Sequence, residues 1–193
     1  MIEIVPYKPA WPAEFAEIAS ALRSALGDFA LRIDHIGSTS IPGLDAKDII
    51  DIQLSLRSLD SFQPVQAALE SLGYSLRAGF TADHLPPGFQ GLSSEWEKRY
   101  FAPPAGQRPT NLHVRVDGRA NQRYALLFRD YLRAHPSSAA AYASLKRTLA
   151  RYHGRSDDHT PYVEIKEPVC DVIMAAAEEW ADRTGWQPGP PDA

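Results

Sequence analysis

Asp48-Ile49-Ile50-Asp51-Ile52-Gln53-Leu54-Ser55-Leu56 is the stretch on which the fold turns. Side chains alternate along an extended chain, so Ile50, Ile52, Leu54 and Leu56 share one face, while Asp51, Gln53 and Ser55, with Ile49, share the other. One face packs into a core; the other presents polar groups in a row. Toward the N-terminus, Leu31 to Ile36 reads as a strand that ends at Gly37-Ser38-Thr39-Ser40, before Pro42-Gly43 forces a turn. The two strands bring the Gly-Ser turn and the polar row into one region.

Helical spacing surrounds this pair. Trp11, Phe15, Ile18, Leu22 and Leu26 form an apolar stripe that predicts a helix over 12–26, with Gly27 as its stop. Residues 62–72 read as a second helix. Between Phe80 and Thr110 the chain is rich in Pro and Gly, interrupted by a strand over 96–101. A further strand over 111–116 follows, with Pro103-Pro104-Ala105-Gly106 as the hairpin connection. Helices are predicted over 121–134 and 137–153, with Ser137 as a cap, and over 168–183, with Pro168 in the first turn. The pattern α-β-β-α-β-β-α-α-α predicts an α+β (mixed α/β) domain over 1–184. Gly185 to Ala193 is too rich in Gly and Pro for regular structure and is expected to be a flexible tail.

Composition narrows the function. With 20 basic and 24 acidic residues the net charge is −4, which disfavours a dedicated duplex-DNA binder. A single cysteine, Cys170, excludes a disulfide framework and a cysteine zinc cluster, and as a lone thiol on a helix it reads as a packing residue. The N-terminus has neither the basic nor the apolar region of a signal peptide, and no apolar run approaches the ~20 residues of a bilayer span. A cytoplasmic protein without a membrane partner is expected.

The candidate chemistry lies at the Gly-Ser turn. Gly37 lets the backbone approach a phosphate, and Ser38, Thr39 and Ser40 offer hydroxyls and amides to its oxygens. A carboxylate on the adjacent strand, Asp51, is placed to hold a Mg²⁺ that bridges those phosphates, and Lys47 adds positive charge beside them. Twelve residues separate Ser38 from Asp51.

A Gly-Ser followed at this distance by Asp-x-(Asp/Glu) is the signature of the nucleotidyltransferase superfamily. Within it the chain resembles the GrpB-like family, through His35-Ile-Gly-Ser-Thr-Ser-Ile-Pro-Gly-Leu44 with Lys47 and Asp51. Tyr7-x-x-x-Trp11, Lys98-Arg99, Asn111-Leu-His113, Phe128-Arg129-Asp130-Tyr131, Leu145-Lys146 and Tyr162-x-x-x-Lys166 agree with it. The resemblance spans residues 5–182. It implies a nucleotidyltransferase-like fold, a short mixed sheet flanked by helices. It also implies transfer of a nucleoside monophosphate from an NTP to an acceptor, with Mg²⁺ or Mn²⁺ held by acidic strand residues. Family members also occur fused behind dephospho-CoA kinase, where they look like accessory domains, so a protein partner is a second expectation.

Position 53 departs from the pattern. Gln53 stands where the superfamily places a second carboxylate, and an amide brings no charge to a divalent site. In the place of a third ligand the resemblance offers His113, which suits zinc, manganese or iron better than magnesium. Asp51, Gln53 and His113 are therefore the expected metal residues, with Asp51 and His113 the catalytic candidates and Lys47, Arg99 and Lys166 the supporting cations. Lys98 and Arg129 are weaker candidates for the same role, and His35 is read as a support of the turn. The expected ligand is a nucleotide or another phosphorylated small molecule. The competing reading is a non-catalytic ligand-binding or accessory module that has lost part of its metal site. Arg133, Lys146, Arg147, Arg151 and Arg155 are read as a solvated basic face, so RNA is not expected. His153, Asp157, Asp158 and His159 carry ligand-type side chains, but their spacing matches no metal motif.

Overall fold

A computed structural model describes residues 1–155, 158 and 160–193 of the chain. In order, its elements are α1 (Trp11–Leu26), β1 (Arg32–Ile36), β2 (Ile50–Leu56), α2 (Gln63–Ser71), β3 (Ser75–Leu76), β4 (Arg99–Ala102), β5 (Thr110–Val116), α3 (Ala120–Ala134), α4 (Pro136–His153) and α5 (Thr160–Thr184). The strands form one sheet ordered β1-β2-β5-β4-β3. β2 and β5 run parallel, and the other neighbouring pairs run antiparallel. The architecture is mixed α+β, as expected.

The alternation in β2 sets the layers. Ile50, Ile52, Leu54 and Leu56 join Trp11, Phe15, Leu22 and Leu26 of α1, Val65 and Leu69 of α2, and Phe101 and Leu112 of the neighbouring strands in one core. Each aliphatic chain buried there contributes about 1.5–3 kcal/mol relative to exposure, so a slip of one residue in β2 would be very costly. The other face is covered as well. α3, α4 and α5 pack together with Ile41 and Leu44 of the turn, through Leu127, Tyr142 and Met174. The polar row therefore lies under a helical layer, and Gln53 and Ser55 are fully buried.

Several expectations are corrected. The strand expected over 96–101 starts later, because Trp96 closes a short 3₁₀ turn, Ser93–Trp96, and β3 was not foreseen. Ser137 does not cap α4. The helix starts at Pro136, the residue before it is His135, and no side-chain cap bond forms. α5 starts well before Pro168, which sits in the helix interior with no amide to offer the Glu164 carbonyl. Pro161 occupies the first turn instead, and buried Tyr162 anchors this N-terminal part.

Residues 185–193 have no helix or strand, in keeping with their composition, and they make hydrogen bonds to β1 and α3. The Ala193 amide donates to the Ile33 carbonyl at 3.0 Å. The Asp192 carboxylate accepts from the His35 amide at 2.9 Å and from Arg129 Nη1 at 2.8 Å. The tail thus covers the outer edge of β1, which among the described residues has no strand beside it. Among the described residues no helix is long and apolar enough to cross a membrane. Asp157 and His159 lie outside the described residues.

Candidate functional site

The polar face of β2 and β5, the turn after β1 and the inner sides of α3, α4 and α5 enclose a cavity of about 400 Å³. Gly37 makes the turn possible. Its φ of +68° lies where side-chain-bearing residues are strained. A Cβ built there would also fall 2.2 Å from Asp51 Oδ2, so the carboxylate packs directly against this glycine. Register explains the meeting, since Asp51 pairs with Ile36 on one side and with Asn111 on the other.

Asp51 faces the cavity. Asn111 Nδ2 donates to its Oδ1 at 2.7 Å, and the Tyr100 hydroxyl donates to Asn111 Oδ1 at 2.6 Å. Desolvation raises the pKa of Asp51, against the Asn111 bond and the charges of Lys166, Lys47 and Lys146. Those three lysines line the same cavity. Lys146 Nζ is buried and donates to Ser38 Oγ and to the Asp45 carbonyl, both at 2.7 Å, while lying 4.6 Å from the centre of the Tyr142 ring. Burial and the Lys166 charge push its pKa down to about 7, opposed by Asp51 and Asp45. Lys47 Nζ sits 4.4 Å over the Tyr162 ring, and burial together with Lys166 lowers its pKa too. Spacing on the helices accounts for the convergence. Tyr142 and Lys146 are four apart on α4, and Tyr162, Lys166 and Cys170 are four apart on α5, so each set occupies one helix face.

The structure sorts the expected site residues. Gly37, Ser38, Thr39, Lys47, Asp51, His113 and Lys166 come together around the cavity. Thr39 Oγ1 pairs with His35 Nε2 at 3.0 Å, and Ser40 Oγ donates to the Gly37 carbonyl at 2.6 Å, so both hydroxyls hold the turn. Arg99 does not reach the site. Alternation along β4 puts it over the Phe62 ring on the α2 side of the sheet, while Tyr100 takes the cavity side, against His113. Arg129 is tied to Asp130, the His35 carbonyl and Asp192.

Lys146 is the residue the solvated-face reading misplaced. Its spacing from Tyr142 and Leu149 puts it on the buried stripe of α4, and that signal was present in the sequence. Its basic neighbours Arg133 and Arg147 engage the Ser40 carbonyl and the Asp45 carboxylate.

The donor set does not fit the expected metal arrangement. Gln53 Oε1 accepts from Arg115 Nη1 at 2.6 Å, and Gln53 Nε2 donates to the Gln122 carbonyl at 3.2 Å, so a guanidinium occupies the oxygen a cation would need. Burial and the charges of Arg115 and Lys98 hold the His113 ring neutral, and among the described residues its Nδ1 finds no hydrogen-bond partner. No group of three or more His, Cys, Asp and Glu side chains converges among the described residues. Three ammonium groups and one carboxylate make a cavity suited to an anion. Gln53→Glu is accordingly expected to pair with Arg115 and to create no divalent site; appearance of a Mn²⁺ site in a spin-resonance titration of the variant would contradict this.

Arg115 is itself fixed from below. Its Nε and Nη2 donate to the two Asp83 oxygens at 2.8 and 3.0 Å, while Lys98 Nζ and Asn121 Nδ2 donate to the same carboxylate at 2.7 and 3.0 Å. Asp83 was not foreseen, because it lies in an irregular segment with no motif around it.

Comparison with known proteins agrees with this fold. A dephospho-CoA kinase of Mycolicibacterium paratuberculosis is 40% identical over 97% of this chain and 48% of its own length, so the chain spans about half of that relative. A cytoplasmic RNA terminal U-transferase aligns with 82% of this chain and 44% of its own at 12% identity and a TM-score of 0.48, a likeness too slight to build on. The crystal structure of the conserved protein GrpB from Enterococcus faecalis aligns with 92% of this chain and 99% of its own, at 30% identity and a TM-score of 0.73. The family model described as GrpB protein matches residues 1–176, and the chain belongs to the GrpB family.

Proposed function

We propose that the cavity binds a phosphorylated small molecule, with a nucleotide as the leading class. The observation that carries this reading is Lys146, an ammonium group buried at the Ser38 hydroxyl beside Lys47 and Lys166. Burial and the Lys166 charge already push the Lys146 pKa down to about 7, the cost of holding three lysines beside one carboxylate, and an anion bound there would keep that ammonium protonated. A phosphate seated against Ser38 and the lysines supplies the missing charge. The volume of about 400 Å³ suits a small ligand. Tyr124, Phe128 and Tyr142 offer an aromatic wall to its less polar part.

Nucleotidyl transfer by a two-metal route needs carboxylates to hold the ions. Asp51 stands alone in that role here, so the residues favour ligand binding over that chemistry. The matched stretch of about half a dephospho-CoA kinase supports the accompanying proposal of a binding module that also works joined to another protein unit.

Calorimetric titration with ATP, GTP, CTP and UTP tests the reading. One-to-one binding of at least one of them is expected, weakened at least ~10-fold in Lys166→Met. Absence of heat with every nucleotide, for protein shown to be folded, would refute it.

A further inference from the structure

The charges around the cavity bear on the form in which its ligand arrives. We propose that the site takes a polyphosphate in its metal-free form, with lysine ammonium groups standing where a divalent cation would otherwise neutralise the phosphates. The proposal rests on the reading that the cavity binds a phosphorylated ligand, and adds the ligand's ionic form and its relation to metal.

Three observations carry it. First, the position able to complete a metal site is closed, because Gln53 Oε1 already accepts from Arg115 and its amide nitrogen is bonded to the Gln122 carbonyl. A cation there would sit against a guanidinium held in place by Asp83. Second, Asp51 is the one acidic side chain among the described residues lining the cavity, and one of its oxygens is occupied by Asn111. Third, Lys47, Lys146 and Lys166 line the same cavity, and among the described residues Lys146 Nζ donates to neutral oxygens, Ser38 Oγ and the Asp45 carbonyl. The Asp45 carboxylate is itself engaged by Arg147.

Lys47, Lys146 and Lys166 can together carry more positive charge than Asp51 offsets, and Lys146, with its pKa pushed down to about 7, takes up its proton fully when a phosphate binds. A metal-free polyphosphate brings the full complement of negative charge, whereas its Mg²⁺ complex has lost two of those charges to the ion. Ammonium groups that donate directly to phosphate oxygens also make charge-assisted hydrogen bonds, which a coordinated Mg²⁺ with its water shell would obstruct. Free nucleotide should therefore bind in preference to the complexed form. That is the opposite sign from a site whose carboxylates need the ion.

The test is calorimetry of the full chain with ATP and with inorganic triphosphate, each in EDTA and in excess Mg²⁺. Wild type is compared with Lys166→Met, and with Lys146→Met after circular dichroism shows it folded. Binding in EDTA is expected, with the apparent affinity falling about tenfold or more in Mg²⁺ as the free form is depleted. Each lysine variant should weaken the EDTA binding by roughly 10-fold or more. Binding that requires Mg²⁺, or tightens with it, would overturn the metal-free form while leaving the binding reading intact. No binding of either probe in EDTA or in Mg²⁺ would overturn the polyphosphate proposal, and the binding reading falls with it if GTP, CTP and UTP give no heat either.

Discussion

Replacing Asp83 with alanine is expected to destabilise the fold by about 3–5 kcal/mol, the cost of leaving buried charges without their partner. Asp83 accepts from Arg115, Lys98 and Asn121, and both cations are buried. Without the carboxylate, two positive side chains face each other under the floor of the cavity. Urea denaturation of Asp83→Ala and wild type reads the difference directly. A loss below about 1 kcal/mol, the level of an exposed ion pair, would show that the cluster is solvated and does not hold the floor.

The same carboxylate sets an acid limit. Burial alone would raise its pKa, but the charge and hydrogen bonds of Arg115 and the charge of Lys98 prevail and hold it well below the usual carboxylate range. A folded-state pKa below the unfolded value gives stability that is present above the ordinary pKa of ~4 and lost as pH falls through the folded-state pKa. Wild type should therefore lose stability progressively below about pH 4, and Asp83→Ala should lose less over the same range. Parallel decline of the two proteins would mean that other carboxylates dominate acid unfolding.

Gly37→Ala is the second large expected effect, at about 2–5 kcal/mol in stability together with loss of ligand binding. Two causes act there. The φ of +68° strains any residue with a Cβ, and that Cβ would lie 2.2 Å from Asp51 Oδ2 and 2.8 Å from Asp51 Cβ. Asp51 would have to leave its place beside Asn111, which displaces a wall of the cavity. Gly43→Ala separates the two causes, since Gly43 has a φ of +78° and nothing within 4 Å of its would-be Cβ. The excess cost of Gly37→Ala over Gly43→Ala measures the contact with Asp51. Equal costs would show that only backbone strain matters, and that the carboxylate yields easily.

How much of this site was legible differs residue by residue. Asp51 was legible because it is the carboxylate on the polar face of an alternating strand, and Gly37-Ser38 because a glycine and small hydroxyls end the strand before it. Lys166 and Lys47 were found through the motifs around them. Arg99 was misplaced because two neighbouring residues of a strand face opposite ways, and the motif Lys98-Arg99 does not say which is which. Pro168 was taken as a helix start by a rule that holds on average; here burial of Tyr162 carries the helix past it.

The sequence by itself determined the alternation of β2, the apolar stripes of α1 and α2, the Gly-Ser turn and the single carboxylate beside it. These follow from periodicity and backbone preference, which act between residues a few positions apart. The tertiary structure alone decided that Lys146 meets Ser38 across 108 positions, that Gln53 faces Arg115 across 62 and that Asp83 holds the same Arg115. Which polar groups become partners depends on how helices cross a sheet and what their crossing shuts away from water. Inside such an enclosure an amide, a guanidinium or an ammonium must find a partner among whatever the fold brings near, and no local pattern records that choice.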